Sequence, residues 1–318
     1  MKVMLTLAPD DLALLRERVR ACDEYGFTAL GFGDSPAYHD PYVSMAIASE
    51  VSNKILLGPM VTNVVTRAPQ VTGRALKSLN EMSCGRIFLG IGAGDSALVG
   101  ARRSMASLQE MRAGINEIRT VLQQYGKGCK PAPVVLAANG PRTLELAGEV
   151  ADIAVTGAGV NAESIERAWA AVRTGAERSG REVELWAVAR VSIAANRNVA
   201  LTELRPLLAS GANHVFASRA ELELMPTPVS LRLQELRKRY NYEFHGRQID
   251  NPNADLVDQL GLRQVLGDRF AIAGTAMNIC QELKSLAALG VSGVVIPAVG
   301  VDVDNLIRNL GREVLPFL

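Results

Sequence analysis

Gly90–Gly100, "GIGAGDSALVG", follows the apolar run "RIFL", and how its glycines are read decides the fold. A dinucleotide-binding turn needs G-x-G-x-x-G opening a helix after a strand, with an acidic residue about 20 positions further on. Here Gly90, Gly92 and Gly94 alternate, and Asp95 stands where that pattern wants a neutral spacer. The rhythm of the surrounding chain has to decide.

Upstream lie the strand-like runs "KVMLTL", "TALGF" and "KILLGPMVT", separated by amphipathic helices over Asp10–Tyr25, Pro41–Val51 and Pro69–Met82. Downstream come a helix over Leu108–Tyr125, then "APVVLAAN", "PRTLELAGEVA", "DIAVTG", a helix over Ala162–Ser179 and "ELWAVARVSIA". "SGVVIPAV" and a helix over Asp302–Val314 close the series. Runs that are apolar at every position suit strands covered on both faces, as in a parallel sheet. With "RIFLGIG" they make eight strands alternating with helices and no linker, which predicts an α/β fold: a single (β/α)8 TIM barrel over residues 1–318.

One stretch breaks the rhythm. Residues 196–269 hold helical pieces such as Ser230–Tyr240 among "MPTP", "NYEFHGRQIDNPN" and "LGDRF". An insertion of this length after strand seven exceeds ordinary loops and emerges on the C-terminal face of a barrel, where it can cover the site. Leu231, Leu233 and Leu236 are expected to pack inward beneath it. A packing or oligomer-contact role without chemistry is the alternative.

Composition narrows the partners. With 34 basic and 33 acidic side chains the net charge is +1, which gathers neither nucleic acid nor anionic lipid, so a small-molecule partner is expected. Cys22, Cys84, Cys129 and Cys280 lack CxxC spacing and the 3 histidines form no HxxxH pair, so no metal and no disulfide framework is indicated. Reduced thiols suit the cytoplasm. The N-terminal apolar run is too short for a signal peptide, and no apolar stretch reaches membrane-spanning length.

A barrel builds its site at the C-terminal ends of its strands. Strand two delivers Asp34, Ser35 and His39; strand three Thr62, Asn63, Thr66 and Arg67; strand four Gly92, Ala93, Gly94 and Asp95. Strand five delivers Ala138, Asn139 and Gly140, and strand six Thr156, Gly157, Ala158 and Gly159. No Ser/His/Asp set, metal cluster or close carboxylate pair is among them, which weakens hydrolase and metal mechanisms. Small and amide-bearing ends instead leave backbone open to a flat cofactor and its phosphate. Asp34 and His39 are candidates for proton transfer. Asp95 points to a catalytic role or to a helix N-cap. The amides of Asn63 and Asn139 can pair with the alternating donors and acceptors of a flat heterocyclic cofactor. Gly157 and Gly159 form a phosphate turn or merely a tight one, and Arg67 and Arg142 neutralise an anion or are solvated at helix starts.

"GPMVTNVVTRAP", "ALKSLNEMSCGRIFLGIGAGD", "LAANGPRTLELAGEVADIAV" and "FAIAGTAMNICQELKSLAALGVSGVVI" occur in this order, and together they resemble successive blocks of the bacterial luciferase-like flavin oxidoreductase family, particularly its methylenetetrahydromethanopterin reductase branch. The resemblance covers most of the chain outside the insertion. It implies FMN or the deazaflavin coenzyme F420 at the barrel mouth, with "GIGAGD" as the strand-four turn beside the cofactor ring. It further implies a non-proline cis peptide at the end of strand three, here Met60–Val61, although many relatives carry a smaller residue where this chain has Met60. Homodimers through helices near strands two and three are implied as well, and the helix Pro41–Val51 is apolar on more than one stripe.

The expected function is therefore a flavin-dependent oxidoreductase. The neutral overall charge tilts the cofactor toward FMN, that is, a reduced-FMN monooxygenase supplied by a separate flavin reductase. The alternative is F420-dependent hydride transfer, whose polyglutamate-tailed cofactor favours a basic rim. A flavin-binding protein that has lost turnover is the non-enzyme alternative. A phosphate-binding barrel lyase or isomerase would show a lysine or paired carboxylates at its strand ends.

Overall fold

Runs such as Val3–Leu5 and Leu89–Ile91 form strands because both faces are covered: along β1, Met4 points into the barrel while Val3 and Leu5 point at the helices. The computed structural model describes residues 1–94, 96–98, 103–123, 131–245, 250–299 and 301–318. In its first half β1 (Lys2–Leu7), α1 (Leu12–Tyr25), β2 (Ala29–Phe32), α2 (Pro41–Val51), β3 (Leu56–Pro59), α3 (Pro69–Met82), β4 (Leu89–Ile91) and α4 (Leu108–Gln123) alternate. β5 (Val134–Ala138), α5 (Pro141–Val150), β6 (Ile153–Thr156), α6 (Ala162–Ser179) and β7 (Glu184–Val188) continue the pattern.

The strand order is β3-β2-β1-β10-β7-β6-β5-β4, all parallel, where β10 is Gly293–Ala298. Single bridges from Leu57 to Ile87 and from Thr62 to Ile91 join β3 to β4 and bring the sheet round on itself. These eight strands are those read from the sequence. Met4, Ala29, Phe88, Val135, Val155, Trp186 and Val295 fill the interior. An outer shell of Leu5, Leu30, Leu57, Leu89, Leu136 and Ile296 meets the helices. Each such side chain taken fully out of water contributes about 1.5–3 kcal/mol.

The run "ELWAVARVSIA" is not one strand. It divides at Ala189, and β8 (Arg190–Ile193) leaves the barrel to pair in parallel with β9 (Ala271–Gly274). Between them lie α7 (Arg197–Glu203), α8 (Arg205–Val215), α9 (Arg219–Glu223), α10 (Thr227–Arg239), α11 (Pro252–Gln259) and α12 (Arg263–Phe270), which enclose a core of their own around Leu208, Phe216, Leu236, Leu266 and Phe270. Leu233 and Leu236 are fully buried there, but Leu231 is 60% exposed. Positions two apart on a helix point to nearly opposite sides, so Leu231 and Leu233 cannot share a face. α13 (Ala276–Ala288) precedes β10 and α14 (Val303–Asn309) follows it, and the predicted last helix changes to π geometry over Leu310–Val314. Among the described residues, no helix is long and apolar enough to cross a membrane.

Candidate active site

The alternating glycines pack against strand three. A β-carbon at Gly90 would come within 1.9 Å of the Pro59 carbonyl oxygen, one at Gly92 within 2.9 Å of Val61 Cγ2, and one at Gly94 within 3.1 Å of Asn63 Cβ. The constant offset shows two chain segments in register, tied by the Thr62 amide donating to Gly90 O (3.0 Å) and the Gly92 amide to Thr62 O (2.9 Å). Gly92 and Gly94 therefore clear space first for the protein's own strand-three end. The peptide bond between Met60 and Val61 is cis. Ala93 is partly buried, and its carbonyl accepts from the Ala106 amide at 3.1 Å.

Strands two and three together hold a polar chain. The buried Thr62 hydroxyl donates to Asp34 Oδ2 at 2.7 Å and accepts from the Tyr42 hydroxyl at 3.2 Å. Tyr42 is held from the N-terminus of α2: Asp40 caps the Tyr42 and Val43 amides through Oδ1, pairs with Arg67 through Oδ2 at 2.6 Å, and Arg67 lies over the Tyr42 ring at 4.3 Å. Burial pushes the Tyr42 phenol above its ordinary pKa, so it stays a donor at neutral pH. Arg67 thus has a structural partner rather than an open guanidinium. His39 is exposed, and its side chain is not part of this chain. Asp95 lies outside the described residues.

Asn63 is 1% exposed. Its Oδ1 accepts from the Val65 and Thr66 amides, both at 2.8 Å, and Nδ2 is buried without a hydrogen-bond partner among the described residues. Asn139, at the end of β5, accepts the Gly157 amide on Oδ1 at 2.8 Å, linking the ends of β5 and β6. Ala138 and Thr156 are buried beneath them, and the Thr156 hydroxyl accepts from the Ala158 amide at 3.3 Å. Gly140 is exposed, with nothing within 4 Å of a β-carbon placed on it. Arg142, just inside α5, is likewise exposed.

A cavity of about 510 Å³ opens here, walled by Asn139, Gly140 and Ala158 of the barrel, Ser164 and Arg167 of α6, and Asn213, Glu221, Arg237 and Tyr242 of the inserted helices. Ser164 is 2% exposed and its hydroxyl has no partner among the described residues. Asn161 caps α6 by accepting the Ser164 amide at 3.2 Å, so the cavity wall includes a helix N-terminus, a setting that favours an anion. Gly159 has φ +152°, and a β-carbon there would come within 2.7 Å of Ser164 Oγ and 3.0 Å of Arg269 O. Arg269, 6% exposed, donates through Nε to Ala158 O at 2.8 Å and pairs with Glu221, so the inserted helices grip the strand-six turn. A cavity of about 460 Å³ around Lys77, Arg119 and Asp152 lies at the opposite end, where β5 begins.

Tyr42, Ser164 and Arg269 escaped the sequence reading. Tyr42 and Ser164 stand just inside helices, two and three residues past the N-cap "D" of "HDPY" and "N" of "VNAES", so cap spacing could have found them. Nothing local marks Arg269. Among the described residues, no group of three or more His, Cys, Asp or Glu is placed to hold a metal ion.

An eight-stranded parallel barrel with its polar groups at the strand ends defines the class. The family model described as luciferase-like monooxygenase matches residues 2–293, and the chain belongs to that family of oxidoreductases. The 5,10-methylenetetrahydromethanopterin reductase of Methanolobus tindarius is 26% identical, with 98% of each chain covered. The F420-dependent glucose-6-phosphate dehydrogenase of Nakamurella multipartita is 24% identical, covering 94% of this chain and 90% of the relative. The solved coenzyme F420 dependent tetrahydromethanopterin reductase of Methanopyrus kandleri superposes with a TM-score of 0.77 at 20% identity, covering 99% of this chain and 98% of the other.

Proposed function

We propose that this chain is a deazaflavin-dependent oxidoreductase that moves a hydride between coenzyme F420 and a small organic substrate. The observation that carries the choice of cofactor is the charge around the 510 Å³ cavity. Arg167, Arg237 and Arg269 stand at or behind its walls, against the carboxylates of Glu163 and Glu221 that pair with two of them. Three guanidiniums meet two carboxylates there, so one positive charge in excess is gathered at this wall, and a ligand meets these local charges rather than the balance of the whole chain. That outweighs the overall composition, which favoured FMN, and it agrees with the names of the aligned relatives.

The residues present fit such a group. The unpartnered Ser164 hydroxyl and the α6 N-terminus would take its phosphate, with Gly140 leaving the backbone open and Gly157 and Gly159 letting the strand-six turn close against Asn139 and Ser164. Asn63 Nδ2 is a buried donor awaiting an acceptor. Bound there, the deazaflavin supplies a two-electron hydride donor or acceptor. The chain's part is the proton. Thr62 and Tyr42 orient Asp34 through Oδ2, leaving Oδ1 to take a proton from the substrate oxygen or return it. The insertion at 196–269 would act as a cover that excludes water, with Arg269 as its anchor to the strand-six turn. Incubation of the purified protein with F420 and, separately, with FMN, followed by absorbance and fluorescence of the bound fraction, tests the reading. Retention of F420 is expected; retention of FMN alone would instead favour a reduced-FMN monooxygenase served by a separate reductase.

A further inference from the structure

Arg190 opens β8 at the point where the chain leaves the barrel. Trp186 and Val188 of β7 face the barrel interior, and Arg190 follows two residues on, past the break at Ala189, where the chain turns toward the inserted helices. Its guanidinium lies over the Phe270 ring, 4.8 Å from the centroid, and against α8, where a β-carbon on Gly211 would come within 2.6 Å of Nη2. No hydrogen bond or ion pair reaches it among the described residues, and Nη1 is buried without a partner. The residue as a whole keeps part of its surface, so the group is deep without being sealed.

The neighbouring arginines are treated differently. Arg269 pairs with Glu221, Arg205 and Arg263 share Asp258, and Arg197 reaches both Asp268 and Glu282. Among the described residues, no carboxylate plays that part for Arg190. Burial alone acts on its pKa, lowering it to about 10 with no carboxylate opposing, so it remains a cation at neutral pH. A buried cation without an anion is costly, and the stacked, planar fork is preorganised for two parallel hydrogen bonds to a carboxylate or phosphate.

We propose that Arg190 is an anion-recognition residue at the barrel rim and that the substrate carries a carboxylate or a phosphate ester which pairs with it. The word substrate rests on the oxidoreductase reading above; the binding of an anion does not.

Calorimetric titration with inorganic phosphate and, separately, with acetate, at constant ionic strength set by sodium chloride, tests this on wild type, Arg190→Met, Gly211→Ala and Ser164→Ala. Arg190→Met should weaken binding of the preferred anion by roughly tenfold or more. Gly211→Ala, which crowds the guanidinium but keeps its charge, should weaken it too, and Ser164→Ala, which disarms the phosphate site at α6, should leave a component of anion binding that Arg190→Met removes. Preference for phosphate over acetate, or the reverse, tells the phosphate ester from the carboxylate. No binding by wild type, equal binding by wild type and Arg190→Met, or loss in Ser164→Ala alone would overturn the inference, the last by assigning the anion to the cavity at α6. Binding of F420, read by its fluorescence on the same proteins, is a separate result: its absence from wild type sinks the cofactor reading and leaves the anion result standing.

Discussion

Thr62 donates its hydroxyl proton to Asp34 across 2.7 Å while accepting the Tyr42 hydroxyl at 3.2 Å, so a threonine on strand three directs a carboxylate on strand two. If Asp34 handles the substrate proton, Asp34→Asn should lower kcat by roughly 100-fold or more with F420 affinity unchanged. Thr62→Val leaves the Tyr42 hydroxyl without its acceptor and should cost about 1–3 kcal/mol of stability as well as slowing turnover. Steady-state kinetics with thermal unfolding separates the two effects. Full activity in Asp34→Asn would remove this carboxylate from the mechanism.

The glycines at strand four divide by what they face. Gly90→Ala drives a β-carbon against the Pro59 carbonyl, where neither backbone can yield, and should destabilise the barrel by about 3 kcal/mol or more. Gly140→Ala meets nothing and should leave the melting temperature within a few degrees. Paired denaturation curves check the contrast.

Gly157→Val places its β-carbon 2.8 Å from Asn139 Oδ1, the acceptor of the Gly157 amide. The strand-five and strand-six ends should part locally, lowering F420 affinity roughly tenfold in a protein that still folds. Unchanged affinity, read by fluorescence titration, would put the cofactor phosphate elsewhere.

Asp258 bridges Arg205 on α8 and Arg263 on α12. Burial opposes its ionisation, but the hydrogen bonds from Arg263 and Arg205 prevail and hold its pKa below the ordinary 3.8. A depressed carboxylate stabilises the fold above its unfolded pKa, and that contribution disappears as pH falls through the folded value. Asp258→Asn should therefore destabilise the inserted helices at pH 7 by about 1 kcal/mol, given the partial exposure of the pair. The gap to wild type should narrow steadily below the ordinary carboxylate pKa. A gap independent of pH would mean that the bridge contributes nothing through charge.

Val43 is 53% exposed on α2, and Ala46 and Ile47 beside it are partly exposed. Pairing of two copies through this helix is expected from the wide apolar surface of "PYVSMAIASEV". Sedimentation equilibrium at micromolar concentration should give twice 34.1 kDa, and a single-chain mass would exclude it.

The sequence by itself determined the barrel. Eight runs apolar at every position can be buried only as strands covered on both faces, and the helices between them leave room for no other closed arrangement. It also placed Asp34, Thr62, Asn63, Asn139 and Gly157 at strand ends, because the end of an apolar run is a local property. Tertiary structure decided what those positions do. Only the closing of β3 onto β4 shows that Gly90, Gly92 and Gly94 make way for Pro59, Val61 and Asn63, since residues 31 apart in the chain carry no local sign of contact. The run "ELWAVARVSIA" is uniformly strand-like, yet its break at Ala189 depends on β9, some 80 residues later, offering a second partner. Charge followed the same rule: composition sums over the whole surface, whereas Arg190 and Arg269 act through a few ångströms of protein, where folding has placed a carboxylate beside Arg269 and, among the described residues, none beside Arg190.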